Sequence, residues 1–288
     1  MEAIKILSWN VEHMSIDKAG DVAEMIKRYD PDVFGLYEVE SELIYDFMVK
    51  NFPQYIMFLT KGQQLQEILV AIKKDYNVIK FQQNDKFKSG NPSLRPGVFL
   101  TFQHPANNQG YAFLFLHTDS GTNAASFGNR TEMFDHALNL KRKLDYGAGR
   151  EINFIMLGDL NTMGLKYPLQ NKTDQLLVTE SEVDYINKYA NRRADQIGSA
   201  YYKLKPNVRF LSKPKGSHYG KATGISDLDH IIASKHLEFK PQANYDETAA
   251  NEIRLDGWRQ YLGNQPKLEE YAGTVSDHCL LYCELIVT

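Results

Sequence analysis

The chain has 288 residues, of which 43% are hydrophobic and 24% are charged, and these proportions are those of an ordinary globular protein. The formal net charge of −3 excludes the strong basic excess that would by itself indicate nucleic-acid binding, although it is compatible with a local basic groove. No run approaches the roughly 20 apolar residues of a membrane-spanning helix. Neither a repeat nor a linker divides the chain, so residues 1–288 are predicted to form one domain.

The two cysteines, Cys279 and Cys283, lie in a single strand-like run, HCLLYCELIV. In a strand they would be about 13 Å apart, which is beyond the reach of a disulfide. The N-terminus enters a strand pattern without the apolar stretch of a signal peptide. Together these features favour a cytoplasmic protein.

Hydrophobic periodicity predicts alternating strands and helices in the first 50 residues. Strands are expected at Ile4–Trp9 and Val33–Tyr37. The apolar positions within 22–29 and 43–48 lie on helical faces. The first of these helices is expected to stop at Asp30-Pro31, because the residue before a proline disfavours helical geometry.

From Gln54 to Leu116 the pattern changes to successive strands, and a longer helix follows with apolar residues at helical spacing between Met133 and Leu144. The two long stretches 160–226 and 240–275 are predicted to be rich in loops. The remaining strands are expected at Ile152–Leu157, Leu228–Ala233 and Leu280–Val287. The whole pattern indicates two β-sheets packed face to face, with helices outside them.

Polar side chains stand at the end of nearly every predicted strand. Alternate strands of a sandwich can bring their ends to one rim, so these residues are expected to lie together although they are far apart in the chain. They are Asn10, Glu38, His117, Asp159, Asn161, Asp227, Asp229, His230, Asp277 and His278.

Three of these residues suit a divalent cation. Glu38 and Asp277 are the natural ligands for Mg²⁺, with the amide oxygen of Asn10 nearby, because Mg²⁺ takes oxygen ligands and usually keeps several waters. A metal at this place would polarise a phosphoryl oxygen and offset the charge that develops there.

Four further residues suit the handling of water and protons. Asp159 and Asn161 lie two residues apart, a spacing suited to orienting a water for in-line attack. An imidazole fixed by a carboxylate can donate to a phosphate or transfer protons. His278 could do this if Asp229 held its other ring nitrogen.

The order of the motifs SWN at 8–10, GDLN at 158–161 and SDH at 276–278 resembles that of the endonuclease/exonuclease/phosphatase family. The resemblance covers almost the whole chain, and it implies a four-layered α/β sandwich in which two packed mixed β-sheets are flanked by helices. It also implies a phosphoesterase that needs Mg²⁺, with Mn²⁺ able to take its place. The implied roles are metal binding for Glu38, Asn10 and Asp277, phosphate contact for Asn10 and Asn161, water activation for Asp159, and orientation of His278 by Asp229.

The resemblance extends to four less specific positions and departs from the family at a fifth. His117 stands where the deoxyribonuclease branch has a catalytic histidine, and Glu67 where that branch has its carboxylate partner. Arg95 and Arg130 are candidate phosphate contacts. Tyr37 departs from the pattern, because the family usually has glutamine before the metal-binding glutamate.

The substrate has three possible readings, of which a nuclease acting on DNA or RNA is favoured by the two histidines and by Arg95. The alternatives are a phosphatase or phosphodiesterase for a small molecule or lipid head group, and a non-catalytic binding module. We expect a monomer with no obligate protein partner. The histidines at 13, 104, 136, 218 and 236 are expected to be structural or exposed. Basic and aromatic residues that could follow a nucleic-acid backbone are Lys86, Lys88, Arg95, Arg192, Arg193, Lys203, Lys205, Arg209, Lys213, Lys215, Lys221, Tyr201, Tyr202, Phe210 and Tyr219.

Overall fold

The computed structural model describes residues 2–62, 66–88, 90–91, 94–169, 172–177, 179–190, 205–245 and 247–287. The α-helices are α1 (Ala19–Tyr29), α2 (Glu42–Asn51), α3 (Ala124–Ala148), α4 (Thr179–Ala190) and α5 (Gln265–Thr274). Short 3₁₀ helices span Asp85–Lys88 and Trp258–Tyr261. The strands are β1 (Ala3–Met14), β2 (Val33–Val39), β3 (Tyr55–Leu59), β4 (Glu67–Lys73), β5 (Asn77–Asn84), β6 (Gly97–Gln103), β7 (Gly110–His117), β8 (Asn153–Asp159), β9 (Leu165–Leu169), β10 (Lys172–Leu177), β11 (Val208–Phe210), β12 (His218–Gly220), β13 (Gly224–Ser226), β14 (Asp229–Ser234), β15 (Gln242–Asn244), β16 (Glu247–Asn251), β17 (Arg254–Asp256) and β18 (Leu280–Ile286).

Two six-stranded sheets form the centre of the fold, with the orders β17-β18-β1-β2-β4-β3 and β11-β14-β8-β7-β6-β5. In each sheet the central pair is parallel, β1 with β2 and β7 with β8, and the flanking strands pair antiparallel. Both sheets are therefore mixed, and the predicted four-layered α/β sandwich is confirmed.

The central strands are buried on both faces, which explains their nearly continuous apolar runs. Ile4 and Ile6 of β1 point into the core between the sheets, whereas Leu7 and Trp9 pack with α1 and α2 on the outer face. This division follows from the two-residue period of a strand. On the second sheet, α3 covers the outer face with a separate apolar cluster.

Tyr37 links the two sheets through the core. Its side chain is fully buried, and its hydroxyl donates to the carbonyl oxygen of Leu157 at 3.0 Å. Gly158 follows Leu157 with a positive φ of 146°, and a Cβ there would collide with the carbonyl oxygen of Leu116 and lie 3.0 Å from the Tyr37 ring. The glycine of GDLN is thus required by close packing between strands.

The two stretches predicted to be rich in loops contain more regular structure than expected. The first contains α4 and several short strands, and the second contains α5. The start of α5 had a recognisable signal, because the side chain of Asn264 accepts from Lys267 N at 3.4 Å and Pro266 occupies the first turn. An N-cap asparagine followed by proline is typical of a helix start. None of the described helices is long and apolar enough to cross a membrane.

Candidate active site

The candidate site lies at one end of the two parallel strand pairs. β1 and β2 both run towards this end, as do β7 and β8, while their antiparallel neighbours β18 and β14 begin there. His117 and Asp229 are both direct register partners of Asp159. The topology therefore brings the strand-end residues together across the two sheets.

Irregular backbone directs the side chains of the first sheet into the site. The register of β1 shifts between Asn10 and Met14, and Glu12 and His13 have positive φ angles of 44° and 49°. Glu38 has a φ of 66°. Non-glycine residues with positive φ are uncommon and cluster at functional sites, and bulges often re-aim a side chain beside an active site.

Asn10 is the centre of the polar network. Its Nδ2 donates to Glu38 Oε1 at 3.1 Å and to Asp159 Oδ2 at 2.9 Å, and it lies 3.5 Å from His278 Nε2. Its Oδ1 accepts from the backbone N–H of Glu12 at 3.0 Å. The sequence-based prediction placed the amide oxygen of Asn10 near the metal ligands; in the structure this oxygen accepts from the backbone, and the role of Asn10 in metal binding stays a prediction.

His278 and Asp229 form a buried pair with the predicted geometry. The distance from His278 Nδ1 to Asp229 Oδ2 is 2.8 Å. Ser217 Oγ donates to the same carboxylate oxygen at 2.7 Å and accepts from the backbone N–H of Asp229 at 2.8 Å, which fixes its orientation. Burial lowers the pKa of His278, but the charges of Asp229 and Asp159 outweigh it and raise the pKa to about 10.

Asp159 faces two imidazoles. Its Oδ2 lies 3.4 Å from His117 Nε2 and 3.8 Å from His278 Nε2, while its Oδ1 accepts from the backbone N–H of Asn161 at 3.1 Å. Burial raises the pKa of Asp159 to about 6, which brings this carboxylate close to the range useful for accepting a proton near neutral pH.

His117 is held in its neutral form. Burial lowers its pKa well below the ordinary value, and the nearby charge of Arg95 acts in the same direction. Its Nε2 lies 3.7 Å from Glu38 Oε1, and its Nδ1 is buried without a hydrogen-bond partner among the described residues. A neutral imidazole can donate one hydrogen bond and accept another.

The first and last motifs of the chain are joined by direct hydrogen bonds. Trp9 Nε1 donates to the carbonyl oxygen of His278 at 3.1 Å, and Ser276 Oγ donates to the carbonyl oxygen of Asn10 at 2.8 Å. The Ser276 hydroxyl also accepts from the backbone N–H of His278 at 3.0 Å. Trp9 and Ser276 therefore hold the functional residues of these motifs in place.

Glu12 and His218 lie in the site, although the sequence-based prediction did not include them. Burial and the charge of Asp277 raise the pKa of Glu12, whose Oε2 is 3.4 Å from Lys18 Nζ. His218 Nε2 lies 3.3 Å from Asp277 Oδ2. The Asn-x-Glu spacing of Asn10 and Glu12 was a signal for Glu12, whereas no local pattern distinguished His218.

Glu67 does not pair with His117. Its carboxylate accepts from the hydroxyl of Thr60 and, at 2.7 Å, from the backbone N–H of Gly62. The carboxylate therefore connects the start of β4 to Thr60 and Gly62, which follow β3. The proposed partnership was wrong because it relied on alignment through a variable loop.

Arg130 is also wrongly predicted as a phosphate contact. The guanidinium is completely buried, and it pairs with Glu182 at 2.9 Å and donates to the carbonyl oxygens of Gly121 and Gly164 at 2.6 and 2.8 Å. It therefore joins α3 to α4. Arg95, in contrast, interacts electrostatically with Glu38 and Asp159, and its Nε is buried without a hydrogen-bond partner among the described residues.

The predicted basic and aromatic track is only partly supported. Residues 192, 193 and 201–203 lie outside the described residues. Lys213 pairs with Asp227, Arg209 with Glu252 and Lys221 with Glu269. Of the two described aromatic residues, Phe210 packs against the His230 ring, and Tyr219 lies against Trp258 with its hydroxyl accepting from Gln265, so both rings make contacts within the protein.

The donor set fits a divalent cation. Ligand atoms of Glu38, His117 and Asp159 lie within 4.8 Å of one another, and Asp277 Oδ1 is buried without a hydrogen-bond partner among the described residues. Carboxylates gathered in this way repel one another unless a cation is present. A second group of possible ligands consists of His218, Asp277 and His278. The carboxylate oxygens of Glu38, Asp159 and Asp277 in these two groups match the preference of Mg²⁺ for oxygen ligands.

The sequence matches the profile of the Endonuclease/Exonuclease/phosphatase family over residues 7–278. The chain belongs to this family. Its members are metal-dependent phosphoesterases, and the resemblance inferred from the three motifs is confirmed. No curated protein matches the sequence.

Solved structures of the family share the fold. D. rerio TDP2 complexed with a single-strand DNA product has a TM-score of 0.65 and 15% identity, with 100% of each chain covered. The catalytic domain of human nocturnin, with bound sulfate, has a TM-score of 0.61 and 14% identity, covering 99% of this chain and 94% of that one. The Bacteroides thetaiotaomicron mannosyl-6-phosphatase has a TM-score of 0.60 and 14% identity, covering 99% of this chain and 100% of that one.

Proposed function

We propose that this protein is a Mg²⁺-dependent phosphodiesterase that cleaves nucleic acid by in-line attack of water. The observation that carries the proposal is the convergence of Asp159 with two imidazoles and Asn10 at one buried point. Asp159 Oδ2 accepts a hydrogen bond from Asn10 at 2.9 Å, so it is positioned to orient the attacking water and to accept its proton. Its raised pKa, about 6, suits that role at neutral pH.

His278 and Asn10 are proposed to bind the phosphate. With its pKa raised to about 10, His278 carries a positive charge at neutral pH, and Asp229 leaves only Nε2 available to the phosphate oxygens. A fixed donor aimed at developing negative charge lowers the barrier because no reorganisation is needed during the reaction. The Asn10 Nδ2 group adds a neutral donor at the same point.

Glu38 and Asp277 are proposed to hold the cation, and Glu12, whose pKa is raised by burial and by the charge of Asp277, is proposed to join them. A bound Mg²⁺ would polarise a phosphoryl oxygen and neutralise charge on the leaving oxygen. Mn²⁺ is expected to support the same reaction, since it takes similar oxygen ligands.

Two findings support nucleic acid as the substrate. The guanidinium of Arg95 interacts electrostatically with Glu38 and Asp159, and its Nε has no hydrogen-bond partner among the described residues; a guanidinium suits the phosphate of a diester. The D. rerio TDP2 structure of the same fold contains a single-strand DNA product. We further propose that the active form is a monomer.

A phosphatase for a small phosphoester is the second candidate. Three basic residues of the proposed track are paired with carboxylates, which weakens the case for a long nucleic-acid groove. The same fold occurs in the mannosyl-6-phosphatase of Bacteroides thetaiotaomicron.

A substrate panel separates these candidates. Supercoiled plasmid, single-stranded DNA, RNA, an inositol polyphosphate, mannose 6-phosphate and sphingomyelin are incubated with Mg²⁺, Mn²⁺ or EDTA. Cleavage of nucleic acid that EDTA abolishes is the expected result. Phosphate release from a small ester, with nucleic acids intact, would replace the nuclease with the phosphatase.

Glu38→Gln provides the matched test of the cation site. It is expected to raise the Mg²⁺ concentration needed for half-maximal activity by at least about tenfold. Glu40→Gln is the control, because Glu40 contacts His13 at 3.0 Å on the exposed rim and has no described contact with Asp159 or Asn10. Equal Mg²⁺ dependence in the two variants would contradict the assignment of Glu38.

A further inference from the structure

His218 is fixed beside the active site by backbone contacts on both sides. It forms an isolated bridge with His278. The backbone N–H of Cys279 donates to the carbonyl oxygen of Ser217 at 2.6 Å, and the N–H of Tyr219 donates to that of Asp277 at 2.8 Å. The short hairpin of β12 and β13 is thereby attached to the last motif of the chain, and the His218 side chain has little freedom to leave.

Both ring nitrogens of His218 have defined neighbours. Nδ1 lies 2.8 Å from the hydroxyl of Ser226, and Nε2 lies 3.3 Å from Asp277 Oδ2. The ring centroid is 4.7 Å from that of His278. When Ser226 donates to Nδ1, the ring proton resides on Nε2 and faces the carboxylate, because in a neutral imidazole one nitrogen donates and the other accepts.

The two carboxylate oxygens of Asp277 therefore have different surroundings. Oδ2 faces His218, whereas Oδ1 is buried without a hydrogen-bond partner among the described residues and lies 3.8 Å from His278 Nε2. A buried carboxylate oxygen with no partner is costly. A cation at Oδ1 would remove that cost.

We propose that His218 is a positioning residue that holds Asp277 by Oδ2 so that Oδ1 is presented to the divalent cation. This inference rests on the proposed function, since it concerns the same cation. Groups that orient a metal ligand in this way tune the affinity of the site, and their loss typically weakens metal binding about 10–100-fold.

The test measures Mn²⁺ binding by electron paramagnetic resonance, without substrate, on the full chain. His218→Phe keeps a planar ring but removes both nitrogens, and it is expected to weaken Mn²⁺ binding about 10–100-fold. His218→Gln retains a donor that can reach Asp277 and is expected to bind Mn²⁺ within about threefold of the unaltered protein. His236→Phe is the control, because His236 follows the far end of β14 and contacts Asn153 and Glu151.

Three outcomes would overturn the inference. Unchanged Mn²⁺ affinity in His218→Phe would mean that Asp277 needs no support, and equal weakening in the Phe and Gln variants would mean that the ring acts by packing alone. If the unaltered, folded protein bound no Mn²⁺, the cation of the proposed function would itself be refuted, a result distinct from the first two. Should His218→Phe fail to fold, Ser226→Ala tests the same chain of contacts and is expected to weaken Mn²⁺ binding by a smaller factor, so unchanged affinity there would count against the proposal.

Discussion

Replacement of Asp229 by asparagine should remove a negative charge from the active site while keeping the shape of the side chain. Asparagine has nearly the same shape and can still accept from Ser217, which donates to Asp229 Oδ2 at 2.7 Å. The negative charge 2.8 Å from His278 Nδ1 is lost. The variant is therefore expected to fold with an altered protonation state of His278.

The size of the effect follows from the environment of His278. Its pKa is raised from the ordinary 6.5 to about 10 by Asp229 and Asp159, against the opposing effect of burial. An opposite charge at this distance shifts a pKa by about 1–3 units, so the pKa in Asp229→Asn should fall by about that amount. At about 1.4 kcal/mol per unit, the free energy of unfolding near neutral pH should fall by about 1–4 kcal/mol.

The sign of the pH dependence is fixed by the raised pKa. Protonated His278 favours the native state, so its contribution to stability is fully present below pH 6.5 and is lost as the pH rises through about 10. The difference in stability between the unaltered protein and Asp229→Asn should therefore be largest near pH 6.5 and should shrink towards pH 10.

The assay is urea unfolding across this pH range in EDTA, together with NMR titration of the His278 ring. Asp227→Asn is the matched control, because Asp227 makes its ion pair with Lys213 and lies two residues away in the chain. A His278 pKa in Asp229→Asn equal to that of the unaltered protein would refute the reasoning. The same variant should lose about 10²–10⁴-fold in turnover, and near-full activity would remove Asp229 from the mechanism.

Three further substitutions test separate parts of the structure. Asp159→Asn should lower turnover by about 10³-fold or more. Its thermal midpoint should be unchanged or higher, since the substitution removes a buried charge. Turnover within tenfold of the unaltered protein would exclude Asp159 as the group that accepts the proton. Tyr37→Phe removes the donor to the Leu157 carbonyl and should cost about 1–2 kcal/mol in urea unfolding, while turnover stays within about threefold. Arg130→Met leaves Glu182 unpaired in the core and should cost about 3–5 kcal/mol, without a change in KM; a raised KM with normal stability would restore Arg130 as a phosphate contact.

Much of the fold was predictable because its central strands are unusually apolar. β1, β2, β8 and β18 lie in the middle of their sheets and are buried on both faces, so their sequences form continuous hydrophobic runs. The short elements outside the centres of the two large sheets were harder to predict. β11, β12 and β13 are only three residues long each, so their local patterns are correspondingly weak.

The wrong prediction for Glu67 shows that the sequence alone could not determine which residues its carboxylate contacts. A glutamate beside a strand has the same local pattern whether it faces an active-site histidine or closes its own turn. The decisive fact is that Thr60 and Gly62 lie within hydrogen-bond reach of its carboxylate, which depends on the pairing of β3 with β4. Arg130 is similar, because its burial against Glu182 is set by the packing of α4 on α3.

The sequence by itself determined the types of chemical group at the strand ends and their order, and hence the family. Each of these depends on local pattern: an apolar run, then a polar residue where the run stops. Only the tertiary structure decided which groups meet. His218 contacts Asp277 although the two are separated by 59 positions in the sequence. This contact and the orientation of the Asn10 amide towards Asp159 arise from the pairing of distant strands and the bulges within them, and no short segment of sequence encodes such contacts.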